Sequence, residues 1–420
     1  MSIELNSNQN PKITWEGCNV LLDINDGDRL LFARLTPGST LKIGNKSCSL
    51  QPLIGCHFGS LFQLETGDKG PFLSPVVEVS NQEEKGCKID EPKDNRALVD
   101  NNTAQSLTGD EIEAMRREGV TGDEIVEALI ANSATFDKKT SFSQEKYRLK
   151  KQKKYAPRVL LRRPFARSIC ETYFKKYPTR IGYLRVDSLS LLLSMANITA
   201  HSDVLVVDMI GGLLTGAVAE RMGGMGYVCN TYLGVNPYPI DIVRMFNFSD
   251  EICKRIVQSP LAELSARENE ISLQPGQPED SCNTEKLTSP PPNSVNMDEL
   301  MVTPENNNSE ILTTAASPVS KACKAAKAGG KAPEVAIKSW RETGFSSLIM
   351  AVPDMDAWTI VKEPLVTCMH NLQLGKMAIG LQIAEPWLRE YQVLPSRTHP
   401  HMQMSAFGGY VLTGTRICST

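Results

Sequence analysis

The chain opens with apolar runs too short for helices. Residues 13–79 alternate VLLDI, RLLFARL, TLKIG, SCSL and GSLFQLE with turn-forming NDGD, PGS and NK. Short runs broken by such pairs predict strands joined by hairpins, with turns at Asp26-Gly27 and Asn45-Lys46. The expected product is a small all-β barrel or sandwich within residues 1–103, and the polar stretch from Ser80 to Thr103 is expected to be a loose loop.

From Thr108 the period lengthens. Ile112 and Met115, then Ile125, Leu129 and Ile130, fall at helical spacing, and Gly119 and Gly122 split them into two short helices. Thr108 precedes Gly109-Asp110-Glu111 in the manner of a helix cap. SQEKYRLKKQKKYAP predicts a third helix that stops before Pro157. Residues 104–186 therefore read as a helical connector.

At Asp187 the pattern becomes α/β. SLSLLLSMANI reads as a helix, HSDVLVVDMI as a buried strand, LTGAVAERMG as a helix, GYVCNTYLG as a strand and PIDIVRMFNF as a helix. That alternation predicts a parallel, doubly wound sheet. Residues 249–339 contain no Phe, Tyr or Trp and carry QPGQPED, SPPPNS, ENNNSE and KACKAAKAGGKAP, so they are expected to be a disordered insertion. Order is expected to resume at Trp340, with GFSSLIMAV and KMAIGLQI as strands and HMQMSAFGGYVLTGTRI as a closing β element of a domain spanning 187–420.

Length and composition narrow the class. The 420 residues suit two or three domains, and counting glycine raises the apolar fraction to about 46%, that of a globular chain. The longest apolar candidate, Val204 to Ala219, is broken by Asp208, so no membrane span is expected. The first residues, MSIELNSNQN, have neither the basic flank nor the apolar stretch of a secretory signal. The 11 cysteines form no CxxC pair and read as reduced thiols of a cytosolic or nuclear protein.

The net charge of −3 hides two opposite blocks. Residues 261–320 carry ten acidic and two basic side chains, whereas Lys146 to Ile169 carries ten Lys or Arg and no Asp or Glu. A block of like charge needs a polyanion or abundant water. Tyr147, Tyr155, Phe165, Tyr173 and Phe174 lie among or just beyond these cations, and Lys or Arg for phosphates with aromatics for stacking is the equipment of a nucleic-acid surface. A merely solvated helix face is the plainer alternative.

One motif approaches a cofactor site. VLVVDMIGGLLTG ends a strand in an acid followed by glycines, where class I methyltransferases bind S-adenosylmethionine. Such a site wants glycine two, four and six residues after the acid, so that backbone can approach the ligand. Counted from Asp208 those positions are Ile210, Gly212 and Leu214. The acid that should accept from the ribose is also missing, because no Asp or Glu lies between Glu220 and Asp241. A fold of methyltransferase shape without the cofactor is expected; a glycine turn without that ancestry is the alternative.

The stretch from DNRALVDNNTAQSLTGDEIEAMRREGVTGDEIVEALIANSATFDKKTSFSQEKYRLKKQKKY, with AERMGGMGYV and WLREYQVLPSRTHPHMQMSAFGGY, closely resembles the non-catalytic subunit of the eukaryotic tRNA N1-methyladenosine methyltransferase. The resemblance covers nearly the whole chain outside the insertion. It implies a small β domain followed by a degenerate Rossmann-like class I methyltransferase fold. It further implies a nuclear, tRNA-binding subunit that pairs with a catalytic homologue, two of each, with S-adenosylmethionine on the partner. Contacts to tRNA are then expected from Arg96, Lys146, Arg148, Lys150, Lys151, Lys153, Lys154 and Tyr155, next from Lys175, Lys176, Arg180 and Arg185, and last from the loop carrying Arg389, Tyr391, Arg397 and His399. His399 and His401 flank Pro400 with no third ligand in sequence, so no metal is expected there.

Two departures from the family stand out. Ala351 occupies the place of the catalytic relatives' acid, with Asp354 displaced past Pro353. Only 25 residues lie between Val352 and Ala378, room for one helix where the family has helix, strand and helix, so the central sheet is expected to be incomplete. A self-sufficient methyltransferase would need the missing glycines and ribose acid. A stand-alone RNA-binding factor of translation initiation would explain the basic block without a partner.

Overall fold

The computed structural model describes residues 12–44, 46–67, 70–76, 105–265, 327–353, 362–393, 398–403 and 408–417. They form two compact units that meet in sequence between Arg163 and Pro164.

In the first unit, β1 (Asn19–Ile24) and β2 (Arg29–Arg34) pair antiparallel around a turn in which Asn25, Asp26 and Gly27 all have positive φ. Asn, Asp and Gly are the residues that enter this region at least penalty. Hairpins β3 (Thr40–Ile43)–β4 (Lys46–Ser49) and β5 (Leu61–Gly67)–β6 (Gly70–Pro75) follow. Helices α1 (Gly109–Arg117) and α2 (Gly122–Ala131) each begin with the same Thr-Gly-Asp-Glu. Thr108 and Thr121 accept from the backbone of Glu111 and Glu124, whose carboxylates accept in return from the threonine backbone. α3 (Ser141–Tyr155) ends before Pro157, and β7 (Arg158–Arg162) follows it.

β7 corrects two expectations. Among the described residues the sheet runs β2-β1-β7-β5-β6, an open five-stranded antiparallel sheet with β3–β4 as a separate hairpin, and no closed barrel is found. The supposed connector therefore supplies the central strand, and the first unit continues to Arg163. In sequence RVLLR reads as part of the basic block. In the fold Val159 and Leu161 are fully buried with Val20, Leu22, Leu35, Leu41, Leu53 and Phe62. Sequence periodicity misses a five-residue strand whose partners lie about a hundred residues away or more.

The second unit begins with α4 (Ala166–Lys176) and α5 (Val186–Met195), then β8 (Ser202–Asp208), α6 (Leu213–Met222) and β9 (Gly226–Tyr232). Asp241–Phe246 is a 3₁₀ segment in place of the expected helix. α7 (Asp250–Arg255), β10 (Ile256–Pro260) and α8 (Leu261–Ser265) follow. Beyond the undescribed residues come β11 (Gly330–Lys331), α9 (Glu334–Thr343), β12 (Ser347–Ala351), α10 (Lys362–Leu374) and β13 (Ala378–Ala384). Two-residue β14 (Tyr391–Gln392) and β15 (His399–Pro400) and then β16 (Val411–Arg416) complete the order.

The main sheet, β11-β10-β9-β8-β12, is parallel throughout, as the α/β alternation predicts. Its helices and strands have the doubly wound, Rossmann-like arrangement. The boundaries of the insertion need correction: its first and last parts fold, β10 as an inner strand and α9 as a helix beginning before Trp340. Trp340 is buried with Ile337, Cys229 and Val257, and its Nε1 donates to Asp203 Oδ2 at 2.7 Å. Lack of aromatics misled there, because Ile256, Val257 and Ile337 suffice when one tryptophan joins them. β13 pairs only with β16, antiparallel, and no described strand lies beyond β12 in the main sheet. Between β12 and β13 the described residues hold the single helix α10.

Candidate functional site

At the carboxyl end of β8, Asp208 is fully buried. Its Oδ1 accepts from the backbone N–H of Ile210 at 3.0 Å and of Gly212 at 3.1 Å, and its Oδ2 from Thr215 N at 2.8 Å and Oγ1 at 2.9 Å. Burial pushes this carboxyl above the usual carboxylate range, and the four donors pull against that rise. Asn230 of β9 accepts from Asp208 N at 3.4 Å, while its Nδ2 is buried without a partner among the described residues.

The glycines of the turn serve the chain itself. Gly211 and Gly212 have φ of +76° and +92°, and a Cβ on Gly212 would lie 2.6 Å from Ile240 Cα. Ile242 N donates to Gly211 O at 2.9 Å, which fastens the 3₁₀ segment across the turn. On the other side, Gly182 leaves room for Pro353 Cβ and Ile210 Cγ2, which a Cβ there would meet at 2.7 and 3.2 Å. Ile210 and Leu214 are buried. A nucleoside ligand needs this backbone open and these N–H groups unspent. Here Ile240 and Ile242 cover the turn, and Asp208 has taken the donors of Ile210, Gly212 and Thr215. β9 ends in Tyr232 and is followed by exposed Leu233, neither of which offers a carboxylate to a ribose. The residues present do not fit S-adenosylmethionine. Ala351 ends β12 in register with Asp208.

Helix α3 presents the opposite arrangement. Two ion pairs hold it in place: Arg148 bonds Glu127 of α2 at 2.6 Å, and Lys153 bonds Asp28 of the β1–β2 turn at 2.7 Å. Tyr147 packs edge-on against Phe136, with the ammonium groups of Lys139 and Lys151 at 4.9 and 5.2 Å from its ring. Arg116 and Lys154 flank Tyr155 at 5.3 and 5.1 Å. Lys146, Lys150 and Lys154 are exposed and have no ion pair among the described residues. They recur every fourth residue, a step of about 6 Å along a helix. Phe142 and Leu149 are exposed beside them.

The remaining sequence candidates divide. Arg158 and Arg162 are turned to Asp123 and Asp23, and Arg167 to Glu171. Arg185 is buried, bonds Asp187 and donates to Pro386 O at 2.9 Å, so it joins α5 to the chain after β13 and is not offered to a ligand. Arg180 pairs with Asp241 at 3.5 Å. Lys175 is exposed and Lys176 half-buried in the last turn of α4. Tyr391 and His399 are exposed on the β14–β15 pair, and Arg389 Nε is buried without a hydrogen-bond partner among the described residues. Arg96, Arg397 and Asp354 lie outside the described residues. Burial pushes the Cys170 and Cys229 thiols up to about 12, so neither is poised as a nucleophile. No helix among the described residues is long and apolar enough to cross a membrane.

Known proteins resemble this sequence over most of its length. The Gcd10p family model matches residues 15–295. A Dictyostelium discoideum protein named tRNA (adenine(58)-N(1))-methyltransferase non-catalytic subunit trm6 is 31% identical over 436 aligned residues, covering 96% of this chain and 80% of that one. Its Mus musculus namesake TRM6 is 30% identical, with 88% and 82% covered. A Debaryomyces hansenii relative of the same name is 26% identical over 91% of this chain. The matched region takes in the open sheet, α1–α3 and the closed turn after β8, and with it the chain belongs to the Gcd10p family.

Proposed function

We propose that this chain is the non-catalytic, tRNA-binding subunit of a nuclear tRNA (adenine(58)-N(1))-methyltransferase. It grips tRNA and orients it for a catalytic relative, two copies of each forming the complex. S-adenosylmethionine sits on the partner and not on this chain. The names of the relatives support the subunit reading.

The observation that carries the RNA role is the row of Lys146, Lys150 and Lys154 on a helix anchored by ion pairs to α2 and to the β1–β2 turn. Anchoring fixes the spacing of the row, and with no described carboxylate paired to it the row keeps its charge for phosphates. Such contacts position a nucleic acid without reading its sequence, which suits a subunit serving many tRNAs. Lys153 and Arg148 contribute less, because Asp28 and Glu127 already neutralise them. Tyr391 and His399 are a second contact region.

The test is methyl transfer from labelled S-adenosylmethionine to unmodified tRNA by the catalytic relative, alone and copurified with this chain. The proposal expects methylation only with both, and calorimetry with this chain alone should give no heat from S-adenosylmethionine. Methylation by the relative alone at the same rate overturns the subunit role, and saturable cofactor binding by this chain overturns the assignment of the cofactor to the partner. A fluorescently tagged chain excluded from the nucleus removes the nuclear assignment.

A further inference from the structure

Strand β12 has a bare edge. It bonds to β8 on one side and ends the parallel sheet, since no described strand pairs with its other side. Among the described residues the β13–β16 pair is bonded only to itself. Natural edge strands are guarded by charges, prolines or bulges. The stretch GFSSLIMAV, residues 344–352, contains neither a charge nor a proline, and its pairing with β8 runs without a bulge. Leu348 and Met350 are 55% and 50% exposed, while Ile349 between them is 3% exposed.

The strand is symmetric in size about Ile349: Ser347 and Ala351 are small, Leu348 and Met350 large and unbranched at Cβ. We propose that a second copy of this chain covers the edge, β12 against β12, antiparallel about a two-fold axis at Ile349. In that register Leu348 of each copy stands opposite Met350 of the other. Directly opposed residues of an antiparallel pair project from the same face, so four half-exposed apolar side chains meet. One patch serves both copies, as a two-fold contact requires, and no like charges oppose it. A strand from an unrelated protein has no need of this symmetry. The contact is independent of the tRNA reading, because α3 lies in the other unit.

Light scattering on the full chain across a concentration series tests it. The mass should double as concentration rises. L348K/M350K, at two half-exposed positions that leave Ile349 in the core, should keep its circular dichroism and remain monomeric. L348E/M350K sets opposite charges across the same register and should restore the doubled mass. Hydrogen exchange gives a second readout: amides of 347–351 should gain protection with concentration in the natural chain and not in L348K/M350K. A natural chain that stays monomeric at the highest concentration reached overturns the proposal, as does L348E/M350K behaving like L348K/M350K. If the chain is monomeric alone and L348K/M350K instead abolishes copurification of the catalytic relative, the edge belongs to that partner and the proposal is also overturned.

Discussion

The turn after β8 and the outer face of α3 both carry residues that sequence chemistry singles out, and the fold spends them in opposite ways. At the turn, four donors converge on Asp208 and Ile240 lies against Gly212, so a polar cluster with the look of a ligand site is consumed by its own backbone. On α3, Lys146, Lys150 and Lys154 stand in solvent with no described carboxylate to meet them. Burial explains the difference. A carboxyl removed from water must be hydrogen-bonded internally or lose several kcal/mol, whereas an exposed ammonium is satisfied by water and can exchange it for a phosphate. A polar residue is available to a ligand only where the fold has not already needed it.

The two regions part most sharply at Gly212. Gly212→Ala combines a left-handed backbone with an approach of 2.6 Å to Ile240 Cα, and should lower stability by about 3 kcal/mol or more. Gly380 in β13 also has positive φ, +62°, but open space around it, so Gly380→Ala should cost only about 1 kcal/mol. Urea unfolding of the two variants side by side measures the gap. Equal losses would mean that the turn is not packed shut.

Asp208→Asn comes next, since it points an amide donor at backbone donors. A loss of about 2–3 kcal/mol is expected by the same unfolding measurement, with tRNA affinity of the folded variant unchanged. On α3 the pattern should reverse. Replacing Lys146, Lys150 and Lys154 together by Ala should weaken tRNA binding about tenfold or more and reduce its salt slope by up to about 0.9 for each phosphate no longer neutralised. The urea midpoint should not move. Lys153→Ala should change binding less than any of the three, because Lys153 already faces Asp28. An unchanged salt slope in the triple variant would make the row a solvated face.

The smallest effect concerns the support beneath α3. Hydrogen bonds from the backbone and hydroxyl of Thr108 and Thr121 hold the Glu111 and Glu124 carboxyls below their ordinary 4.5. A depressed folded value means that the ionised form favours the fold. This support is therefore complete above about pH 4.5 and is lost as pH falls through the depressed values. Amide exchange in α1 and α2 should rise in that acid window, and Glu111→Gln with Glu124→Gln should remove the pH dependence.

Much of the local structure is legible in the residues. The Asp26-Gly27 turn, the two Thr-Gly-Asp-Glu caps, the stop before Pro157 and the parallel strands at β8, β9 and β12 follow from side chains acting on backbone within a few positions. The substitutions Ile210 and Leu214 at the glycine turn are equally readable, because they concern which atoms stand at fixed offsets from Asp208. The length of the stretch before Ala378 likewise bounds how many elements it holds.

Other features depend on partners that local pattern does not name. β7 becomes a central strand only because Leu21 to Ile24 and Leu61 to Gln63 lie on either side of it. β10 and α9 fold out of an aromatic-poor stretch because β9 and Trp340 complete their apolar surroundings. Which cations of the basic block remain for a ligand is decided the same way. Asp23, Asp28, Asp123 and Glu127 come from other elements and each takes one cation away. Sequence by itself determined residue types, periods, caps and spacings, which act over one or two turns of chain. Tertiary structure decided burial and pairing, since both are set by whatever distant segment arrives alongside, and arrival is governed by the summed packing of the whole unit.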